Sequence, residues 1–287
     1  MSSNPAPSVP RDLYRIGSKQ SLPVYARSIW QRRQFAWNVA IGNLRAQHLD
    51  TFLGGLWHVV NPLMLIGVYY LVFGVIISVA REGVPEGKFI PFLAVGIFTY
   101  TYVQRSISSG ASSIVSNLGL IRSLQFPRAL LPLSAVLQQL LAFGSSLVVM
   151  IVVLLLTDEY PTAGWLMLPV IVVVATLFGL GGALITSRLT DQVRDLENVL
   201  PYLFRLTFYM SGILYSVDRW IEDERLRVLF VLNPFYDIVG IARHYMMRSW
   251  DEPLLGWMWL ALLAYTLVAL TLGFLFFRAG ETRYGRG

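Results

Sequence analysis

The chain has 287 residues, 55% of them hydrophobic and only 14% charged, against about 25% charged in soluble domains, which excludes an ordinary soluble enzyme. The net charge of +6 rests almost wholly on arginine, with only Lys19 and Lys88 as lysines; these charges gather at the ends of apolar runs, a pattern of membrane orientation and not of nucleic-acid binding. The absence of cysteine excludes thiol catalysis, disulfides, iron–sulfur clusters and cysteine-type zinc sites.

In chain order, residues 1–23 read as a disordered tail, punctuated by Pro5, Pro7 and Pro10. No apolar core with a small-residue cleavage site stands in the first 50 residues, so insertion through the first span is expected. Residues 24–55 form an expected interfacial helix. Ile29, Trp30, Arg33, Trp37, Ile41 and Leu44 recur at three- and four-residue spacing, and the segment is too polar to span. Six long apolar runs follow, at 57–79, 89–109, 130–156, 165–186, 199–217 and 255–277. Each matches the roughly 20 helical residues that cross a hydrocarbon core of about 30 Å. The expected fold class is an all-α polytopic membrane protein. Its permease domain of six transmembrane helices covers 56–278, and residues 279–287 form a tail.

Basic residues set the expected orientation. Seven lie before the first run, and Arg122, Arg128, Arg188, Arg194, Arg278, Arg283 and Arg286 fall in later segments on the same side. The alternate loops hold Arg81 and Lys88, then none, so both termini are placed inside. Residues 218–253 mix arginines with acids; within them, 218–247 read as short re-entrant external helices broken at Asn233-Pro234. The fourth run carries small residues every four positions, Ala175, Gly179, Ala183 and Ser187, a stripe for close helix packing within the subunit or between two copies.

A search for chemistry is mostly negative. Lys88 is the one lysine preceded by glycine, but Phe89 replaces the Ser or Thr that a phosphate-binding loop requires. His48, His58 and His244 stand far apart, so no metal site and no catalytic residue is assigned. Arg105 and Arg205 lie within spans, each either snorkelling to an interface or, for Arg205, facing phosphate or sugar. Tyr69, Tyr70, Phe73, Phe98, Tyr100, Tyr102, Phe204, Phe208 and Tyr209 cluster in the first, second and fifth runs. They form either a platform for sugar rings or an interfacial belt with packing.

Four segments together resemble the permeases of type-2 ABC exporters of lipid-linked polysaccharide, such as O antigen, teichoic acid and mycobacterial galactan. They are Asn43-Leu44-Arg45 with Leu53-Gly54-Gly55-Leu56-Trp57 and Asn61-Pro62; Asn117 through Leu120-Ile121-Arg122 to Phe126-Pro127-Arg128; Arg194-Asp195-Leu196 with Ser211-Gly212-Ile213-Leu214-Tyr215; and Asn233-Pro234 with Arg243. The resemblance covers roughly residues 27–278.

It implies a homodimer in the bacterial cytoplasmic membrane with two copies of a separate ATPase subunit. ATP and magnesium would then be bound there, this chain having no cofactor. It also implies a coupling helix that includes Asn117, Leu120, Ile121, Arg122, Phe126, Pro127 and Arg128. Arg32, Arg33 and Arg45 would meet the incoming polyprenyl diphosphate; the nine clustered aromatics would line a glycan channel; and Trp220, Asn233 and Pro234 would belong to an external gate. The expected function is export of a polyprenyl-diphosphate-linked polysaccharide, galactan or O antigen, with no covalent chemistry in this chain. A type-2 ABC exporter of drugs or small lipids is the alternative, and a membrane-embedded glycan-processing enzyme a more distant one.

Overall fold

The computed structural model describes residues 21–47, 54–76, 83–217, 230, 232–252, 255–281 and 284. Every regular element among them is helical. The tail at 1–20 and the whole of 218–229, Trp220 included, lie outside the described residues.

The expected interfacial helix is divided. α1 (Leu22–Gln31) and α2 (Arg33–Ala46) meet at Arg32, whose φ of −102° and ψ of 19° break the helical register. The face that α2 turns inward is also not the tryptophan stripe. Ala36 and Ala40 are fully buried where α2 packs along α6, while Trp30 and Trp37 are 69% and 45% exposed. Alanine one turn apart permits close helix approach, and the indole rings are left to an interface outside the chain.

α3 (Trp57–Tyr69) contains Pro62 and continues into a π-helical stretch, Tyr70–Ile76. α4 (Phe89–Ser112) is followed by α5 (Leu118–Ser123), α6 (Leu130–Leu156), α7 (Leu168–Gln192) and α8 (Leu196–Met210). α9 (Pro234–Met246) and α10 (Leu255–Gly280) complete the chain. Four segments are long and apolar enough to cross a membrane: Val59–Ile76, Leu130–Leu156, Ala163–Gln192 and Leu255–Gly280. Their outer faces carry exposed Leu260, Leu263, Leu267, Val148 and Val152, surfaces suited to lipid and not to water. The protein is therefore a multi-pass membrane protein.

The other two expected spans differ from that pattern for separate reasons. α4 has ample length, 24 residues, but is rich in Thr, Tyr, Ser and Gln. It sits in the middle of the bundle, where neighbours and not lipid satisfy those groups: Tyr102 meets Thr176 at 2.5 Å and Ser106 donates to the Tyr102 carbonyl at 2.9 Å. α8 has only 15 residues, about 22 Å of helix against a core of about 30 Å. It stops at a turn in which Gly212 adopts φ +59°, open to glycine at little cost, and the chain then folds back towards α9.

α7 packs between α4 and α10. Its stripe of small residues contacts α4 within the same subunit. A side chain on Gly110 would collide with Ala183, one on Gly179 would lie 3.0 Å from Ser106 Cβ, and the Ser113 and Ser187 hydroxyls meet at 3.2 Å. One turn round, Gly181 faces the Ala269–Leu270 backbone of α10, where an added Cβ would fall 2.6 Å from a carbonyl carbon. The fourth run's stripe is thus consumed inside the bundle.

Candidate functional site

Two regions gather the residues singled out by the sequence, one at each end of the bundle. The first is the connection between α4 and α6. Ser113 and Asn117 open it, with the Asn117 amide donating to the Ser113 carbonyl at 2.9 Å, and α5 follows. Ile121 faces inward, against Ile114, Ala129 and Leu131. Phe126 is half-buried with its ring centroid 4.9 Å from that of Phe35 on α2. The outward side instead presents Gly119, Arg122, Ser123, Leu124 and Gln125, with Leu124 51% exposed and Leu120 partly so. Leu124, extended at φ −127°, is the apolar side chain this element shows most openly; the coupling helix that the resemblance implies included Leu120, Ile121 and Phe126 but not Leu124.

Arg128 points back into its own subunit. Its backbone N–H donates to Glu281 Oε1 at 3.0 Å and its guanidinium to the Glu281 carbonyl. The Tyr25 hydroxyl donates to the same Glu281 carboxylate oxygen at 2.7 Å. One acid after α10 thus joins α1, the α4–α6 connection and the end of the last helix. Burial, with the Glu281 charge beside it, pushes the Tyr25 phenol well above its usual range, so the hydroxyl remains a donor. Tyr25 and Glu281 escaped sequence reasoning because 256 positions separate them and no local pattern marks either.

The three arginines assigned to a diphosphate do not form one cluster. Arg32 donates to the Gln125 carbonyl of the α4–α6 connection. Arg33 donates to the Trp30 carbonyl at 3.1 Å and lies 5.0 Å from the centre of that indole. Arg45 is exposed in the last turn of α2, about 18 Å along the helix from Arg33.

The aromatics converge on the other side of α4. Tyr69 stacks on Phe208 at 5.4 Å, Tyr100 meets Phe208 edge-on at 5.2 Å and Phe235 at 5.0 Å, and Phe204 and Phe178 also contact Phe235. The Tyr100 hydroxyl meets Thr207 Oγ1 at 2.7 Å and donates to the Phe204 carbonyl. Phe98, Tyr100, Tyr102, Phe204 and Phe208 are buried within the single subunit, and Tyr69, Tyr70 and Phe73 are half-buried. The cluster is a packed wall; its open edge on α8 carries Tyr202, Arg205 and Tyr209. Tyr202, 71% exposed, is one that aromatic grouping alone passed over.

Asn233 and Pro234 begin α9. The Asn233 side chain accepts from the Phe235 N–H at 3.1 Å as an N-cap, with Pro234 at the first helical position. Its amide nitrogen also donates to the Met210 carbonyl at 3.2 Å and to Ser211 Oγ at 3.1 Å, tying the end of α8 to the start of α9. Arg243, buried on α9, completes the tie. Its Nε and Nη2 donate to the Phe92 carbonyl at 3.2 and 3.1 Å, Nη1 to Gly212 at 2.9 Å and Nη2 to Ile213 at 2.9 Å; the guanidinium lies 3.3 Å from the Phe92 ring centre.

Asp237, one helical turn after Asn233, is fully buried and has no hydrogen-bond partner for either carboxylate oxygen. Glu159 clamps the segments at this end, accepting from the Arg248 N–H at 2.7 Å and lying 3.6 Å from Lys88 Nζ. Among the described residues no three His, Cys, Asp or Glu side chains come together.

Comparison with known proteins shows what this arrangement is similar to. The family model of the ABC-2 type transporter matches residues 37–247. The O-antigen export system permease protein RfbA of Myxococcus xanthus is 30% identical over 214 residues, 74% of this chain and 80% of its own length. A protein of the same description from Klebsiella pneumoniae is 28% identical over 230 residues, 80% of this chain and 85% of its own. The polysialic acid transport protein KpsM of Escherichia coli is 23% identical over 235 residues, 80% of this chain and 86% of its own.

Proposed function

Because the chain belongs to the ABC-2 type transporter family, we propose that it is the membrane permease of an ATP-driven polysaccharide exporter. The observation that carries this reading is the agreement among its relatives. Proteins matching more than 70% of the chain, from three organisms, are described as exporting O antigen or polysialic acid.

The energy source in this proposal is a separate ATPase subunit, in keeping with a sequence that has no lysine in a phosphate-binding loop. Two copies of the chain pair with two copies of that ATPase. α4 and the α8–α9 pair, with the four apolar helices, complete six membrane crossings per copy; the length of α4 and the return of the chain at Gly212 support this count. Two α8 edges carrying Tyr202, Arg205 and Tyr209 would then face one another across a polymer path. Aromatic faces stack on sugar rings, and their hydroxyls exchange hydrogen bonds with sugar hydroxyls.

The α4–α6 connection receives the motion of the ATPase, with Leu124 and Arg122 outward and Arg128 transmitting it to the end of α10 through Glu281. α9, held by Asn233 and Arg243, is the described part of an external gate. The cargo is a polysaccharide on a polyprenyl diphosphate; in this reading Arg45 and the α1–α2 arginines attract the diphosphate.

Depleting the protein and profiling lipid-linked glycans in whole-cell extracts tests the proposal. A long polymer accumulating on a polyprenyl-diphosphate anchor is the expected result. An unchanged glycolipid pool with altered sensitivity to small toxic compounds would refute it in favour of a drug exporter.

A further inference from the structure

On the flank of the bundle a groove runs between α3, α4 and α6. Asn61, Arg105 and Gln139 stand at the end nearer the α4–α6 connection, and Leu65, Phe98 and Phe143 line the deeper part. Arg105 is the only Asp, Glu, Lys or Arg on these three helices. Among the described residues no ion pair or hydrogen bond engages its guanidinium. Gln139 is uncharged and cannot neutralise it; its amide nitrogen donates to Ser109 Oγ at 2.8 Å.

Arg105 is exposed on the groove seven residues, about 10 Å, inside the end of α4, and a lone guanidinium within hydrocarbon is unfavourable unless an anion or water meets it. Asn61 and Gln139 keep the Arg105 end polar, whereas Leu65, Ile97, Phe98, Ala142 and Phe143 make the deeper part mostly apolar, a lining that suits an occupant charged at one end and hydrocarbon at the other. We propose that this groove is a binding site for one anionic phospholipid of the leaflet on that side, with its phosphodiester on Arg105 and an acyl chain running past Phe98 and Phe143. The planar guanidinium donates two parallel bonds to the two non-bridging oxygens of a phosphodiester. Its single positive charge matches that group's single negative charge and leaves the greater charge of a diphosphate uncompensated. Basic pockets between membrane helices bind phospholipid head groups on the same logic.

The test is native mass spectrometry of the purified full-length protein, titrated separately with phosphatidylglycerol, diacylglycerol and a polyprenyl diphosphate. Export is not read out, so the outcome is independent of the transport proposal. The expected result is one phosphatidylglycerol retained per chain, at least tenfold less in Arg105→Gln and recovered only in part in Arg105→Lys, with no retention of diacylglycerol. Thr101→Leu, which crowds the same groove but leaves the charge in place, is expected to lower retention too. Equal retention in Arg105→Gln, normal retention in Thr101→Leu, or Arg105-dependent retention of the polyprenyl diphosphate alone would overturn the assignment.

Discussion

Replacing Arg243 with alanine is the sharpest perturbation the structure offers. The side chain makes four hydrogen bonds to three buried carbonyls, those of Phe92, Gly212 and Ile213. Hydrogen bonds to a charged group contribute about 1.5–3 kcal/mol each, a gross loss of roughly 6–12 kcal/mol. Relief of guanidinium burial offsets several kcal/mol of this. The expected net destabilisation is about 3–5 kcal/mol, the range for stripping one partner from a buried ionic arrangement. At about 2–4 °C per kcal/mol for a chain of this size, the melting temperature should fall by roughly 6–20 °C.

The assay is thermal unfolding of the purified protein in detergent, read by tryptophan fluorescence and by the surviving monodisperse peak. Lysine at 243 is expected to recover only part of the loss, because one ammonium cannot form the same planar fork. Gly96→Ala supplies an internal check, since its Cβ would stand 2.7 Å from Arg243 Nη2. That substitution should destabilise the native protein but cost far less alongside Arg243→Ala, a strongly non-additive pair. A melting temperature within 2 °C of the native value in Arg243→Ala, or additive effects of the two changes, would refute the account of Arg243 as the tie between α4, α9 and the Gly212 turn.

Two further outcomes are expected. Leu124→Glu places a charge on the exposed side of the α4–α6 connection; the melting temperature should stay within about 1 °C while lipid-linked glycan accumulates in cells, and normal export would refute the proposed ATPase contact. Asp237→Asn replaces a buried carboxyl whose oxygens have no hydrogen-bond partner with a neutral amide of the same size; the melting temperature should rise by a few degrees, and a fall of more than about 2 °C would contradict the reading of Asp237 as an unpartnered acid.

The apolar runs made the membrane bundle legible because lipid-facing helices must be apolar along their whole outer surface. α4 and α8 depart from that pattern. α4 is shielded from lipid and keeps its tyrosines and serines; α8 yields to a glycine turn, and its following residues serve as carbonyl acceptors for Arg243. Asn233-Pro234 was readable as a break because capping is local chemistry. Arg243 was marked only as part of a resemblance; its role as a tie was not legible, since its partners lie 30, 31 and 151 positions away and its charge counts like any other in a topology rule. The stripe of Trp30 and Trp37 reads as an interfacial face and stands exposed; that Ala36 and Ala40 form the face packed on α6 was not legible, because two alanines one turn apart carry no local signal of their partner. For Phe126 and Arg128 the sequence placed both in the connection between the second and third runs but could not say which way each side chain turns.

The glycine and alanine seams on both sides of α7 have a mechanical consequence. Backbone rests against backbone at Gly110, Gly181 and Gly273, where there are no long side chains to switch rotamers and take up slack. Helices α4, α7 and α10 should therefore respond to a push at the Ser112 end of α4 as one stiff lever, carrying the displacement across the bundle with little lost to side-chain rearrangement.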